Sequence, residues 1–234
     1  MKAVLVDYRI DEYEKENLRT FNLEVLAVPP FKRLYAAVSG HPDMLLNIIN
    51  ENTIIVHKEM DINFIKELEN YKYKILYSNN SLESKYPLDI ILNALNLKNL
   101  FVHNLKYTDN TLLQNISYKK LKSVSQGYTK CSTAIISSSA VMTSDNGIAK
   151  ALSEENIDVL LLPPGDIILP GLNYGFIGGC CGLLEKGLLA FYGHLDNYIY
   201  KNEVKEFLKK HNVEPVFLSK GRLFDRGSIF VINN

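Results

Sequence analysis

The sequence predicts an α/β repeat protein of about five units, each roughly 40–50 residues long. Three observations lead there. Short apolar or β-branched runs alternate with helix-spaced segments along most of the chain. The tetrapeptide Gly-His-x-Asp occurs twice, as Gly40-His41-Pro42-Asp43 and Gly193-His194-Leu195-Asp196, at a spacing of three periods of 51 residues. Asp145 falls on the same period without a histidine, one period before Asp196.

Lys2–Asp7 reads as a first strand, because its apolar run is too short for a signal-peptide core. Asp11–Asn22 carries charge at helical spacing and leads into Leu23–Val28 and the Pro29-Pro30 break. Leu34–Val38 is predicted as a strand and Pro42–Asn50 as a helix, with Pro42 in the first turn, where a missing N–H costs little. Thr53–Val56 is β-branched, and Ile62–Asn70 sets Phe64, Ile65 and Leu68 on one helical face before the strand Lys74–Tyr77. Leu88–Leu97 is apolar and fits either state, and Leu100–His103 fits a strand.

Lys122–Val124, Thr133–Ser137 and Ala140–Thr143 read as strands, Asn146–Glu155 as a helix, and Asp158–Leu162 and Leu188–Tyr192 as strands. Asn202–His211 turns Val204, Phe207 and Leu208 inward and Lys201, Lys205 and Lys209 outward, with Asn202 as N-cap and Asn212 as stop. Val213–Leu218 and Ser228–Ile232 complete the strands. The unit is strand, acidic turn, helix, strand, glycine-containing turn, strand. No low-complexity linker divides it, so residues 1–234 read as one domain.

Lysine plus arginine and aspartate plus glutamate balance at 26 each, which argues against nucleic acid or an anionic membrane as partner. No apolar stretch approaches a membrane span. Three cysteines, two of them adjacent, do not make a disulfide scaffold, and the expected home is the reducing cytoplasm. No His/Cys/carboxylate cluster has zinc-like spacing. The glycine-rich stretch 165–187 lacks both the P-loop and the dinucleotide fingerprint, so no cofactor is implied.

Cys131 follows a Gly-x-x-Lys turn and is the first candidate nucleophile; the alternative is a small packing thiol. A thiolate needs a nearby cation, and Lys130 is adjacent, although successive side chains of a strand face opposite ways. Cys180 and Cys181, after Gly178-Gly179, are weaker candidates. His41 and His194 can act as general acid and base, oriented by Asp43 and Asp196. The competing reading makes the aspartates, Asp145 included, helix caps and the histidines turn-shaping residues. His57, His103 and His211 lie in no motif and read as surface or packing residues.

Four blocks resemble a bacterial branch, of unassigned activity, of the pentein superfamily of guanidino-group-modifying enzymes. They are Ser39-Gly40-His41-Pro42-Asp43-Met44, the stretch Gln126-Gly127-Tyr128-Thr129-Lys130-Cys131-Ser132, the run from Leu169 to Gly179, and Asp225-Arg226-Gly227-Ser228-Ile229. The resemblance implies a pseudo-five-fold α/β propeller of ββαβ-type repeats. It also implies a Cys nucleophile, a His acid/base often found in a late His-x-Asp, which His194-Leu195-Asp196 resembles, and acids that clamp a cation. In that frame Asp166 and Asp225, beside strand-connecting glycines, can face the axis and bind a cationic guanidino or amidino ligand, with ordinary turn residues as the alternative. Lys130 and Asp145 complete the candidate binding set.

The family's nucleophile usually lies in the last repeat, where this chain reads Arg226-Gly227-Ser228-Ile229, without cysteine. Two functions therefore stand side by side. One is a Cys/His-dependent hydrolase or transferase acting on guanidino or amidino C–N bonds. The other is a non-catalytic pentein that binds a small ligand or a protein. The sequence sets no oligomeric state.

Overall fold

A computed structural model describes residues 2–233. The first sheet and its crossover are β1 (Lys2–Asp7), α1 (Glu12–Arg19) and β2 (Leu23–Val28). The short helix α2 (Pro42–Leu45) leads into β3 (Leu46–Asn50), β4 (Thr53–Val56), α3 (Ile62–Asn70) and β5 (Lys74–Tyr77). The third unit is β6 (Leu95–Asn96), β7 (Leu100–His103), α4 (Asn110–Asn115) and β8 (Lys120–Ser123). The fourth is β9 (Thr133–Ser137), β10 (Ala140–Thr143), α5 (Asn146–Ser153) and β11 (Asp158–Leu161). The fifth is β12 (Cys181–Glu185), β13 (Leu188–Phe191), a 3-10 turn at Leu195–Asn197, α6 (Lys201–Lys210) and β14 (Glu214–Phe217), and β15 (Phe230–Asn233) ends the described chain.

These strands make five three-stranded sheets of one design. Each middle strand (β1, β4, β7, β10, β13) pairs antiparallel with one neighbour and parallel with the other. A parallel pair needs a crossover, and the helix of each unit supplies it. The middle strands β4, β7 and β10 are buried along their whole length, the state that favours continuous Ile/Val/Leu over alternation. The antiparallel partners pack against one another, β9 on β12, β12 on β15 and β3 on β6, so they form the inner ring. The ring closes through the chain ends, where β15 runs antiparallel to β1 from Lys2↔Asn233 to Leu5↔Phe230.

The acid that recurs with the fold is a helix cap. Asp11, Asp61, Asp109 and Asp145 sit at the N-caps of α1, α3, α4 and α5, each accepting a first-turn backbone N–H. This corrects the reading of the 51-residue period. Asp43 lies in α2, ahead of an inner strand, whereas Asp145 and Asp196 follow middle strands. The two Gly-His-x-Asp copies thus occupy different places in their units.

Other expectations change for local reasons. Leu34–Val38 is a run of turns rather than a strand, closed by bonds such as Val38 N to Tyr35 O, although Leu34 and Val38 still bury their side chains. Pro42–Asn50 is helical for one turn only before the β-branched pair Ile48-Ile49 continues as β3. Strand β12 lies inside the glycine-rich stretch and carried no clear periodic signal. Helix α6 starts from Tyr200 without a side-chain cap, not from Asn202, and Asn212 follows it in the left-handed region, with φ of 54°. Among the described residues no helix is long and apolar enough to cross a membrane.

Candidate active site

The segments that lead into the five inner strands converge at the centre of the ring. They bring Asp43 (before β3), Asn93 (before β6), Lys130 and Cys131 (before β9), Gly178-Gly179 (before β12) and Ser228 (before β15) into one buried network. Lys130 Nζ donates to Ser228 Oγ at 2.8 Å, and Ser228 Oγ lies 2.6 Å from Asp43 Oδ2 and 2.8 Å from the Gly178 carbonyl. Asn93 Oδ1 accepts the backbone N–H groups of Lys130 (3.0 Å) and Cys131 (3.2 Å). Its amide Nδ2 faces the Asp43 backbone carbonyl at 3.0 Å and Cys131 Sγ at 2.9 Å. A network this deep is stable only when its members satisfy one another.

Beside this hub opens a cavity of about 350 Å³. Its chemically capable lining residues are His41, Cys131 and Asp225, and its walls are aromatic, chiefly Tyr35, Tyr128, Tyr174 and Phe176. Tyr128 and Phe176 stack with ring centroids 6.2 Å apart, and the Tyr128 hydroxyl donates to Asp89 Oδ2 at 2.5 Å. Burial pushes the Tyr35 hydroxyl up to about 12, so it remains a neutral donor.

His41 is 1% exposed, and neither ring nitrogen has a hydrogen-bond partner in the protein. Its Nδ1 stands 3.7 Å from Asp225 Oδ1 and its Nε2 3.9 Å from Asp7 Oδ2. Burial lowers its pKa, against the opposing pull of Asp225 and Asp7, so the ring is a neutral base. The Cys131 thiol is pushed well above its ordinary value, first by burial and then by the charges of Asp43 and Asp225. In the unliganded protein it is a thiol.

The charges around the site divide unequally. Asp7 is held by Arg9, with Nε to Oδ1 at 2.9 Å, and Glu14 by Arg226 at 3.2 Å. Asp43 is linked to Lys130 through Ser228. Asp225 accepts the backbone N–H groups of Phe176 (2.8 Å) and Gly227 (3.0 Å), but its one side-chain counterpart is the His41 ring. It is therefore a buried carboxyl group on the cavity wall with no lysine or arginine within ion-pairing distance among the described residues, and burial raises its pKa. Gly179 is needed for this placement: a Cβ there would stand 2.0 Å from Asp225 Oδ1.

The fold brings together three of the five residues expected to be catalytic: Cys131, His41 and Asp43. His194 and Asp196 lie elsewhere, which corrects the expectation that they join Cys131. The His194 ring lies 3.9 Å from Phe217, its Nδ1 accepts the Asp196 N–H, and both residues border a separate surface depression with Tyr13 and Ser219. Asp196 pairs with Lys205 at 2.6 Å.

Of the expected binding residues, Asp225 lines the cavity and Lys130 belongs to the hub, its Nζ 5.2 Å from the Phe230 ring centroid. Asp166 is spent on Arg222 (2.6 Å) and the Ile199 N–H (2.8 Å) outside the cavity, and Asp145 caps α5 through Ile148. Cys180 and Cys181 both turn their Sγ atoms to the Ile177 carbonyl, at 3.1 and 3.2 Å, and line no part of the cavity. His103 is buried between Thr108 and the Gly127 carbonyl, His57 packs against Phe31, and His211 pairs with Asp158. Sequence reasoning missed Asn93 and Ser228. Asn93 was visible as a polar residue inside the apolar run 88–97.

No curated protein matches the chain in sequence. Solved structures share its fold at low identity. An amidinotransferase from Microseira wollei, of the saxitoxin biosynthetic pathway, aligns with a TM-score of 0.56 at 9% identity over 92% of this chain and 87% of that one. DDAH from Pseudomonas aeruginosa, solved with citrulline, aligns at 0.55 and 9% over 93% of this chain and 92% of that one. Substrate-bound agmatine deiminase from C. jejuni aligns at 0.55 and 11% over 99% of this chain and 93% of that one. The fold is thus the pentein propeller that the sequence blocks resemble. A family model matches residues 5–230, and by that match the chain belongs to DUF6873, a family of unknown function.

Proposed function

We propose that the chain binds a guanidinium or amidinium cation in the axial cavity and acts on its C–N bond, with Cys131 as nucleophile and His41 as acid and base. One observation carries this reading. Asp225, buried and without a cationic partner, shares a cavity with a thiol and with an imidazole whose two nitrogens are both unengaged. A planar cation supplies the missing charge and donors to Asp225 and can stack on the aromatic wall.

The same cation adjusts the thiol. A positive charge next to Cys131 lowers its pKa, opposing the burial and the acidic neighbours that raise it in the empty site. Since neither ring nitrogen is hydrogen-bonded to Sγ in the empty site, the Cys131 proton passes to the neutral His41 ring by way of a water, and Sγ bonds to the central carbon. The C–N bond then breaks, and the departing amine takes the proton from His41. The resulting thiouronium-type adduct is resolved by water or a second amine, which releases the thiol.

A chloroacetamidine challenge of the whole chain tests the reading. Displacement of chloride forms one S–C bond, so mass spectrometry should find one adduct, at Cys131. It should form faster than with neutral chloroacetamide, be suppressed by guanidinium, and disappear in Cys131→Ser. Equal reaction with both reagents, or adducts confined to Cys180 and Cys181, would sink the proposal. The absence of a cysteine at the terminal block, where Ser228 stands, supports the second reading of a non-catalytic binder. Its signature is guanidinium binding without release of ammonia or amine from any guanidino compound.

A further inference from the structure

We propose that the ligand is a guanidinium or amidinium monocation whose other end is apolar, and that the cavity rejects zwitterionic amino acids such as arginine; this rests on the cation-binding reading above. The observation is what the cavity lacks around Asp225. Among its lining residues no lysine or arginine is present, and Asp225 is the one carboxylate. The two arginines nearest His41 are committed elsewhere. Arg9 is bound to Asp7 and to the carbonyls of Ala36 and Ala37, and Arg226 to Glu14 and the Arg9 carbonyl.

A ligand carboxylate brought into this space would meet aromatic faces and a like charge, with no cation to offset its desolvation. Asn173 can offer an amide N–H but no charge. An apolar tail meets the opposite situation. Leu172 and Tyr174, on the segment that follows Gly171, line the cavity yet remain 48% and 41% exposed. They leave an exposed, largely apolar part of the lining that the far end of a short ligand can cover. Each methylene buried there adds about fourfold to affinity.

Calorimetric titration of the full chain with methylguanidine, butylguanidine and L-arginine tests this at one pH and salt concentration. Butylguanidine should bind at least about tenfold more tightly than L-arginine, and more tightly than methylguanidine. A smaller advantage over arginine overturns the inference and leaves the cation-binding reading standing. Failure of all three to bind overturns both. Leu172→Ala, a substitution at an exposed lining position, should narrow the ratio between butylguanidine and methylguanidine, and an unchanged ratio removes this part of the lining from the tail site.

Discussion

The two Gly-His-x-Asp segments begin from the same residues and end in opposite environments. At the first, His41 is sealed between Asp7 and Asp225 and both of its nitrogens are idle. At the second, His194 lies on Phe217 at the surface, with Nδ1 occupied by the Asp196 N–H. Asp43 faces a lysine-linked serine inside the hub, whereas Asp196 faces Lys205 in solvent. The difference follows from position in the repeat. The first segment leads into an inner strand and points to the axis, and the second follows a middle strand and turns towards the outer helix. A motif with acid/base chemistry therefore has catalytic meaning here only at the place where the ring desolvates it.

The largest contrast should appear in cation binding. Asp225→Asn keeps the shape but loses the charge and one acceptor, because the Phe176 and Gly227 N–H groups go to different carboxylate oxygens and an amide can accept only one of them. Its affinity for alkylguanidines should fall by about 100-fold, the range for removing one partner of a buried charged contact. Asp196→Asn should leave that affinity unchanged. Equal losses at both sites would dissolve the distinction between the segments.

The glycines of the two segments should separate next, in stability. Gly193 has φ of 110°, and a Cβ there would stand 2.3 Å from the Arg222 carbonyl oxygen, a backbone atom. Gly40 has ordinary φ, and its Cβ would press mainly on the Tyr8 ring, part of a side chain that is 41% exposed and can move, and more lightly on Asp7 Oδ1 at 2.9 Å. Gly193→Ala should cost about 3 kcal/mol and Gly40→Ala about 1 kcal/mol in urea unfolding. The reverse order would mean that the buried segment is the more rigid one.

Much of this was legible in the chain. Alternating apolar runs gave the five units, because middle strands buried on both faces have few residue types open to them. Cys131, His41 and Asp225 were each visible as residues of capable type. Their meeting was not legible, since three distant approaches to inner strands must converge before it exists. The 51-residue period also misled, for Asp43 precedes an inner strand whereas Asp145 and Asp196 follow middle strands, and equal spacing in sequence did not mean equal place. Ser228 stood in the terminal block only as the residue where a cysteine was missing; its left-handed backbone, φ of 75°, and its three polar neighbours are what mark it as part of the hub.

Acid sharpens the comparison further. The folded state holds His41 below the ordinary histidine value of about 6.5, by burial against the pull of Asp225 and Asp7 and with help from Arg9 and Arg226. Below about pH 6.5 the unfolded chain binds a proton that the folded ring refuses, so stability falls as pH falls. His57 and His103, each lowered to about 4, act in the same direction. Asp43 and Asp225 act in the opposite one, because their raised values favour protonation in the folded state. The difference between wild type and His41→Asn isolates one ring: the variant should lose less stability between pH 7 and 5. A steeper loss in the variant would show that His41 is charged in the folded protein.

The smallest effect should lie at the second segment, and it is informative because it is small. Asp196 is exposed, and its pKa is lowered by the hydrogen bond from Lys205, a contact that water screens and that two mobile side chains must be ordered to make. Asp196→Ala should leave the thermal midpoint within measurement error in moderate salt. The 3-10 turn at Leu195–Asn197 is held by other bonds, from Asn197 N to the His194 carbonyl and from the Asn197 amide to the carbonyls of Lys220 and Gly221. A clear drop in midpoint would show that the carboxylate organises the start of α6, the one crossover helix without a side-chain cap. Asp196 would then serve the same structural purpose as Asp145 by a longer route, and the second copy of the motif would be architecture from end to end.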